Sequence, residues 1–188
     1  KNSETAMKQA ETGGNGMGRK NHRFRVAVTG ITTGKLVDMG TKDSMNMGAA
    51  MAPAAFHTVM QNLKDLEITK EQLEGGWYDK IITGDLGKIG KQALADLLRN
   101  EGLEAEGFLM DCGVEIYDNQ KQDTHAGGSG CGCSALVLGA LILPNIQAGI
   151  WKRVLFVPTG ALLSTVSFNE GQTIPGIAHG VILERMGK

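Results

Sequence analysis

Between His125 and Cys133 the chain reads HAGGSGCGC, four glycines and two cysteines in nine residues, followed at once by the apolar run SALVLGALIL. Flexible and reactive residues ahead of an apolar helix could serve four kinds of chemistry. Zinc is one: His125, Cys131 and Cys133 lie close together, with Cys112 upstream. Zinc pairs, however, favour two to four residues between cysteines, and C-x-C is tighter than that. Phosphate is a second, because glycines before a helix free backbone N–H groups to face an anion. The P-loop ends in Gly-Lys-Ser/Thr, and no lysine falls between Lys121 and Lys152; the dinucleotide fingerprint is missing as well. The underlying physics, N–H donors facing a carboxylate, stays open. A nucleophilic thiol is a third, since a helix N-terminus lowers a cysteine pKa. It needs a base, for which His125 and His179 are the candidates. The fourth is packing alone, since glycines let backbones approach closely.

The elements that must position these residues follow from periodicity. Arg23–Gly30 (RFRVAVTG) alternates and is β-branched, so it reads as a strand. From Met51 to Leu66, Phe56, Val59, Met60, Leu63 and Leu66 fall at helical spacing, with Pro53 suited to the first turn and His57 flanking the stripe. The stretch around ITKEQLEGG reads as a connection, and Trp77–Asp85 as a strand closing on Gly84-Asp85. A second helix is expected over Lys88–Asn100, then two short extended segments in GFLMDCGVEIYD. The glycine turn opens a third helix, Ser129–Gln147, whose last turn Pro144 disturbs. Arg153–Ala161 and Gly176–Arg185 are the last strands; with no helix between them they form an antiparallel pair, joined by the loop LLSTVSFNEGQTIP. Alternating strands and helices make this an α/β layer protein.

The bulk numbers narrow the choice of function. One domain suits 188 residues, and 19 basic against 20 acidic residues leave no electrostatic case for nucleic acid. Three cysteines make no disulfide framework, which suggests reduced thiols. No apolar stretch approaches the roughly 20 residues that span a bilayer. Residues 1–22 are polar and glycine-spotted and read as a linker; a chain that opens on Lys1 with its first strand only near Arg23 reads as part of a longer protein.

The motifs TKDSMNMGAAMAPAA, IITGDLGKIG, THAGGSGCGCSALV, VLFVPTGALLS and IPGIAHGVILER, in this order, carry a resemblance. Over residues 23–185 the chain resembles the C-terminal half of the stage V sporulation protein AD family of endospore-forming bacteria. Through that family it is similar to thiolases and β-ketoacyl synthases. The resemblance implies a thiolase-like half (β-α-β-α-β-β) with a mixed five-stranded sheet packed with helices, as the element order also suggests. It places Gly84 where the synthases carry a catalytic histidine, and Ser129 in the place of their asparagine. A glycine can neither act as a base nor donate from a side chain to an oxyanion. The implied protein is therefore not an enzyme and needs no cofactor or metal. It binds dipicolinic acid (pyridine-2,6-dicarboxylic acid) for uptake into the developing spore, with Gly84, Asp85, Ser129, Gly130, Cys131 and His179 as the ligand-binding set. The implied partners are other stage V sporulation A proteins at the forespore or spore inner membrane, and a second copy in a homodimer. An active acyltransferase using His179 or Cys131, and a purely structural scaffold, are the rival readings.

Overall fold

A computed structural model describes residues 24–187 apart from 119 and 129. The linker expected over 1–22 and the candidate ligand residue Ser129 lie outside the described residues.

Five strands form one mixed sheet: β1 (Arg25–Thr32), β2 (Lys80–Thr83), β3 (Leu109–Asp111), β4 (Arg153–Val157) and β7 (Gly180–Met186), in the spatial order β1-β7-β4-β2-β3. β2 lies parallel between β3 and β4, whereas β7 runs antiparallel to both β4 and β1. The last two expected strands each break in two. Pro158 separates β4 from β5 (Thr159–Ala161), and His179 separates β6 (Gly176–Ala178) from β7; β5 and β6 pair as a separate antiparallel ribbon.

Strand alternation divides the interior into two cores. Ile81, Leu155 and Ile182 face α1 (Met47–Asp65) and α3 (Gly87–Asn100) in one cluster. Ile82, Val154, Phe156 and Leu183 face the opposite side, against Val137, Ile142 and Ile146. A sheet covered on both faces explains why its central strands read as continuous apolar runs.

Several expected boundaries are corrected. Pro53 stands inside α1, not in its first turn, because the helix already begins at Met47. The supposed connection at ITKEQLEGG contains α2 (Lys70–Glu74), nucleated by a reciprocal Thr69–Gln72 capping box. The second of the two extended segments is instead α4 (Cys112–Glu115), directly after β3. The supposed loop LLSTVSFNEGQTIP contains α7 (Thr165–Asn169), where Ser164 and Ser167 form the capping box.

The third helix starts at Cys133, not Ser129, and is not uniform. Its parts are α5 (Cys133–Val137), a π segment (Leu138–Ile142) and α6 (Leu143–Gln147). The Leu143 N–H reaches back five residues to Leu138 O, so the turn ahead of Pro144 is wide. Pro144 has no N–H, and its ring crowds the carbonyl one turn earlier. The Asn145 side-chain amide donates to Leu141 O at 2.8 Å, satisfying a carbonyl in the same turn.

Candidate functional site

The parallel pairing of β2 and β3 sets Thr83 opposite Asp111, so both strands end side by side beneath the glycine-rich turn. Two carboxylates meet there, Asp85 just after β2 and Asp111 at the end of β3. Asp111 is fully buried. Its Oδ2 accepts from Thr83 Oγ1 at 2.6 Å and from the Leu86 N–H at 2.8 Å, and its Oδ1 from the Gly87 N–H at 2.9 Å. These bonds fix the first turn of α3. Burial nevertheless pushes the Asp111 pKa up, against the pull of Thr83, Leu86 and Gly87, and nearby Asp85 adds to the rise.

Asp85 is tied on two sides. Its N–H donates to Thr159 Oγ1 at 3.1 Å, and its Oδ2 accepts the Gly130 N–H at 2.7 Å. Glycine is required around this carboxylate, since a Cβ added at Gly113 would lie 2.2 Å from Asp85 Oδ1. The turn itself carries left-handed glycines at Gly127, Gly128 and Gly130, with φ of 81°, 97° and 81°. Tyr117 anchors it from below, donating to Gly128 O at 3.0 Å. The Gly127 and Gly128 N–H groups donate to Thr124 O and Gly113 O, while Gly130 turns its N–H to the chain's own carboxylate.

Gly84 is buried, and its surroundings are filled by main chain. A Cβ there would stand 2.5 Å from Thr159 N and 3.0 Å from Pro158 Cα. The bend between β4 and β5 therefore leaves no room for a side chain at this position. Gly84, Asp85 and Gly130 are brought together; Cys131 sits exposed beside Gly130, while Cys133 and Cys112 are buried. Burial, with Asp111 next to it, pushes the Cys112 thiol up, so it stays protonated.

His179 is reached through the β5–β6 ribbon. Thr159, which holds Asp85, pairs with Ala178 across the ribbon, and His179 follows at once. Its Nδ1 accepts the Gly34 N–H at 3.0 Å, which leaves Nε2 as the proton-bearing nitrogen of the neutral ring. His125 is exposed and left-handed at φ 47°, beside Asp123. His57 is half-buried on α1 with its ring edge against Phe56, and burial lowers its pKa. Among the described residues no group of three metal-ligating side chains forms.

Sequence reasoning missed Asp111, Thr159 and Gly113. The signal for Asp111 was available: GFLMD ends an apolar strand on an aspartate, as IITGD does. Nothing local marks Thr159, whose partner lies 74 residues away.

Two clefts open outside this cluster. One, of about 330 Å³, lies between α3 and β3 and includes Lys88, Lys91 and Glu106. The other, of about 680 Å³, lies between the β1–α1 loop and the α7 excursion. No helix of the described residues is long and apolar enough to cross a membrane.

Comparison with known proteins adds the following. The family profile of "Stage V sporulation protein AD (SpoVAD)" matches residues 2–184. Stage V sporulation protein AD of Bacillus subtilis is 43% identical over 162 residues, which cover 86% of this chain and 46% of that protein. The chain thus spans about half the length of this relative. Solved structures with a similar course include the 3-oxoacyl-(acyl carrier protein) synthase III of Xanthomonas oryzae, at 11% identity and TM-score 0.42, covering 87% of this chain and 57% of that one. The corresponding synthase of Aquifex aeolicus is 13% identical at TM-score 0.43, covering 88% and 55%. A cerulenin-bound OleA of Xanthomonas campestris is 10% identical at TM-score 0.41, covering 90% and 61%.

Proposed function

The chain belongs to the stage V sporulation protein AD family, a premise that gives it a role in sporulation and from which we propose that it binds dipicolinic acid without transforming it. In this reading it is the dipicolinate-holding component of an uptake assembly in the developing spore. Other stage V sporulation A proteins hold it peripherally at the forespore or spore inner membrane, and it works as a homodimer.

The observation that carries the non-enzymatic part is the crowding at Gly84. Thr159 N at 2.5 Å and Pro158 Cα at 3.0 Å stand where a side chain would begin, so no proton-transferring group can project from that position. The ligand set is Gly84, Asp85, Ser129, Gly130, Cys131 and His179. Asp85 holds Gly130 and so fixes the direction of the turn. In this reading the ligand's carboxylates are met by donors of the turn around Gly130 and Cys131 and by the Nε2–H of His179. A planar dianion needs such N–H and hydroxyl donors at its edges and small residues along its faces.

Calorimetry of the full-length protein with dipicolinate, with acyl-CoA as control, tests this. Saturable heat from dipicolinate and none from acyl-CoA is the expected result; the reverse pattern sinks the proposal. The acyltransferase reading rests on the exposed Cys131 thiol and the His179 ring, whose Nδ1 accepts the Gly34 N–H. It requires an acyl adduct on the protein, or CoA release, which mass spectrometry after incubation with acyl-CoA reads directly.

A further inference from the structure

We propose that the cleft between the β1–α1 loop and the α7 excursion binds a small apolar monocarboxylate, with the Lys42 ammonium taking the negative charge. The proposal concerns other residues and another ligand than the glycine turn, and it stands whether or not dipicolinate binds there.

The cleft has fixed walls. The two segments that form it are sewn together by the Ile174 N–H on Thr41 O at 2.7 Å, Thr173 Oγ1 on Asp38 Oδ2 at 2.6 Å, and paired bonds between Val37 and Gly176 at 2.9 and 2.8 Å. On the far side the Leu162 N–H donates to Pro175 O at 2.9 Å. The cleft is open to solvent, with a volume of about 680 Å³.

The lining defines the ligand. Leu162, Leu163 and Pro175 give it apolar surface. The polar side chains are already engaged: Ser164 and Ser167 with each other, Thr173 with Asp38, and Gln172 with Glu170. Lys42 is the charged residue of the lining and makes no ion pair among the described residues. One uncommitted positive charge beside leucines fits one anionic group on an apolar body. A dicarboxylate would find no second cation in this lining. The neighbouring helix has no buried residue and exposes Val166 and Phe168, apolar surface that such a body would extend along.

The test is amide NMR of the full chain titrated with octanoate, octan-1-ol and dipicolinate. Octanoate is expected to shift the Leu163, Ser167 and Gln172 amides saturably. Lys42→Met, a change at an exposed side chain, weakens octanoate by about tenfold. Octan-1-ol, which carries no charge, binds more weakly and does not respond to Lys42→Met. Leu163→Gln weakens both. The proposal is overturned if octanoate gives no saturable shift, if Lys42→Met leaves its affinity unchanged, or if dipicolinate moves the same amides equally. Dipicolinate shifts confined to the glycine turn, or none anywhere, bear on the function proposed above and leave this cleft's assignment standing.

Discussion

The Gly130 N–H donates to Asp85 Oδ2 at 2.7 Å, closing a loop of 45 residues. One end lies just past a strand terminus and the other is a left-handed glycine, so this carboxylate holds the Gly130 end of the turn while Tyr117 and Gly113 hold it at Gly128. Removing that carboxylate should free the turn while leaving both cores intact. In Asp85→Ala the Gly130 amide is expected to exchange with solvent at least about tenfold faster, with core amides such as Leu155 unchanged. Hydrogen exchange read by NMR checks this; unaltered protection at Gly130 would show that the turn is held by other means.

Gly84→Ala tests the crowding at the bend. The added methyl meets main-chain atoms of Pro158 and Thr159, which cannot rotate away as a side chain could. A loss of about 2 kcal/mol is expected, read as a lower denaturant midpoint at unchanged slope. A neutral result would mean that the bend between β4 and β5 yields easily, and would remove the case that this position excludes an imidazole.

Asp111 predicts a pH dependence. Its folded pKa is raised, so the folded state keeps the proton to higher pH than the unfolded chain does. This group's contribution is greatest below the ordinary carboxylate pKa of 3.8 and declines as pH rises through the raised folded value. Asp111→Ala removes that decline. It also leaves the Leu86 and Gly87 N–H groups without their acceptor, for a net loss of about 3 kcal/mol. Denaturant melts across a pH series separate the two effects. A variant with the native slope against pH would assign the titration elsewhere.

Tyr78 carries the corresponding alkaline prediction. Its hydroxyl donates to Asn62 Oδ1 at 2.7 Å, and the Asn62 amide donates to Thr32 Oγ1 at 2.9 Å, linking α1 to β1 through buried groups. Burial, against the opposing charge of Arg153, pushes the phenol up to about 12 from 10.0. Stability from this group is complete below pH 10 and is lost as pH rises towards 12. Tyr78→Phe should cost about 1 kcal/mol near neutrality and abolish that alkaline decline, as thermal melts at pH 9 to 12 would show.

The periodic elements were legible from the chain itself. The stripe through Phe56, Val59 and Leu63 gave α1, because a buried helical face has a local period, and the apolar runs before Gly84 and around Phe156 gave β2 and β4, because strands buried on both faces read as continuous apolar sequence. The short helices were hidden by brevity. Five-residue α2 and α7 have no room for a stripe, and their marks are the Thr69–Gln72 and Ser164–Ser167 pairs. The glycine turn was legible as a place where backbones come close. The resemblance set Asp85 beside it in one ligand set, but not as the carboxylate that the Gly130 N–H itself binds, nor Asp111 beneath it, because the parallel pairing of β2 with β3 joins segments distant in sequence. The resemblance supplied the positions to examine; the packing of Pro158 and Thr159 supplied the reason nothing larger than glycine fits.

The widened turn at Leu138–Ile142 has a consequence for the reading frame of the third helix. Val137 and Ile146 are nine positions apart and both point into the same core. In a regular α-helix nine steps of about 100° would set them on opposite flanks. The additional residue absorbed by the π turn is what restores their alignment. A one-residue deletion within it, which elsewhere in a helix would rotate everything downstream out of register, would here tighten the coil to ordinary pitch and keep Ile146 within about 80° of Val137.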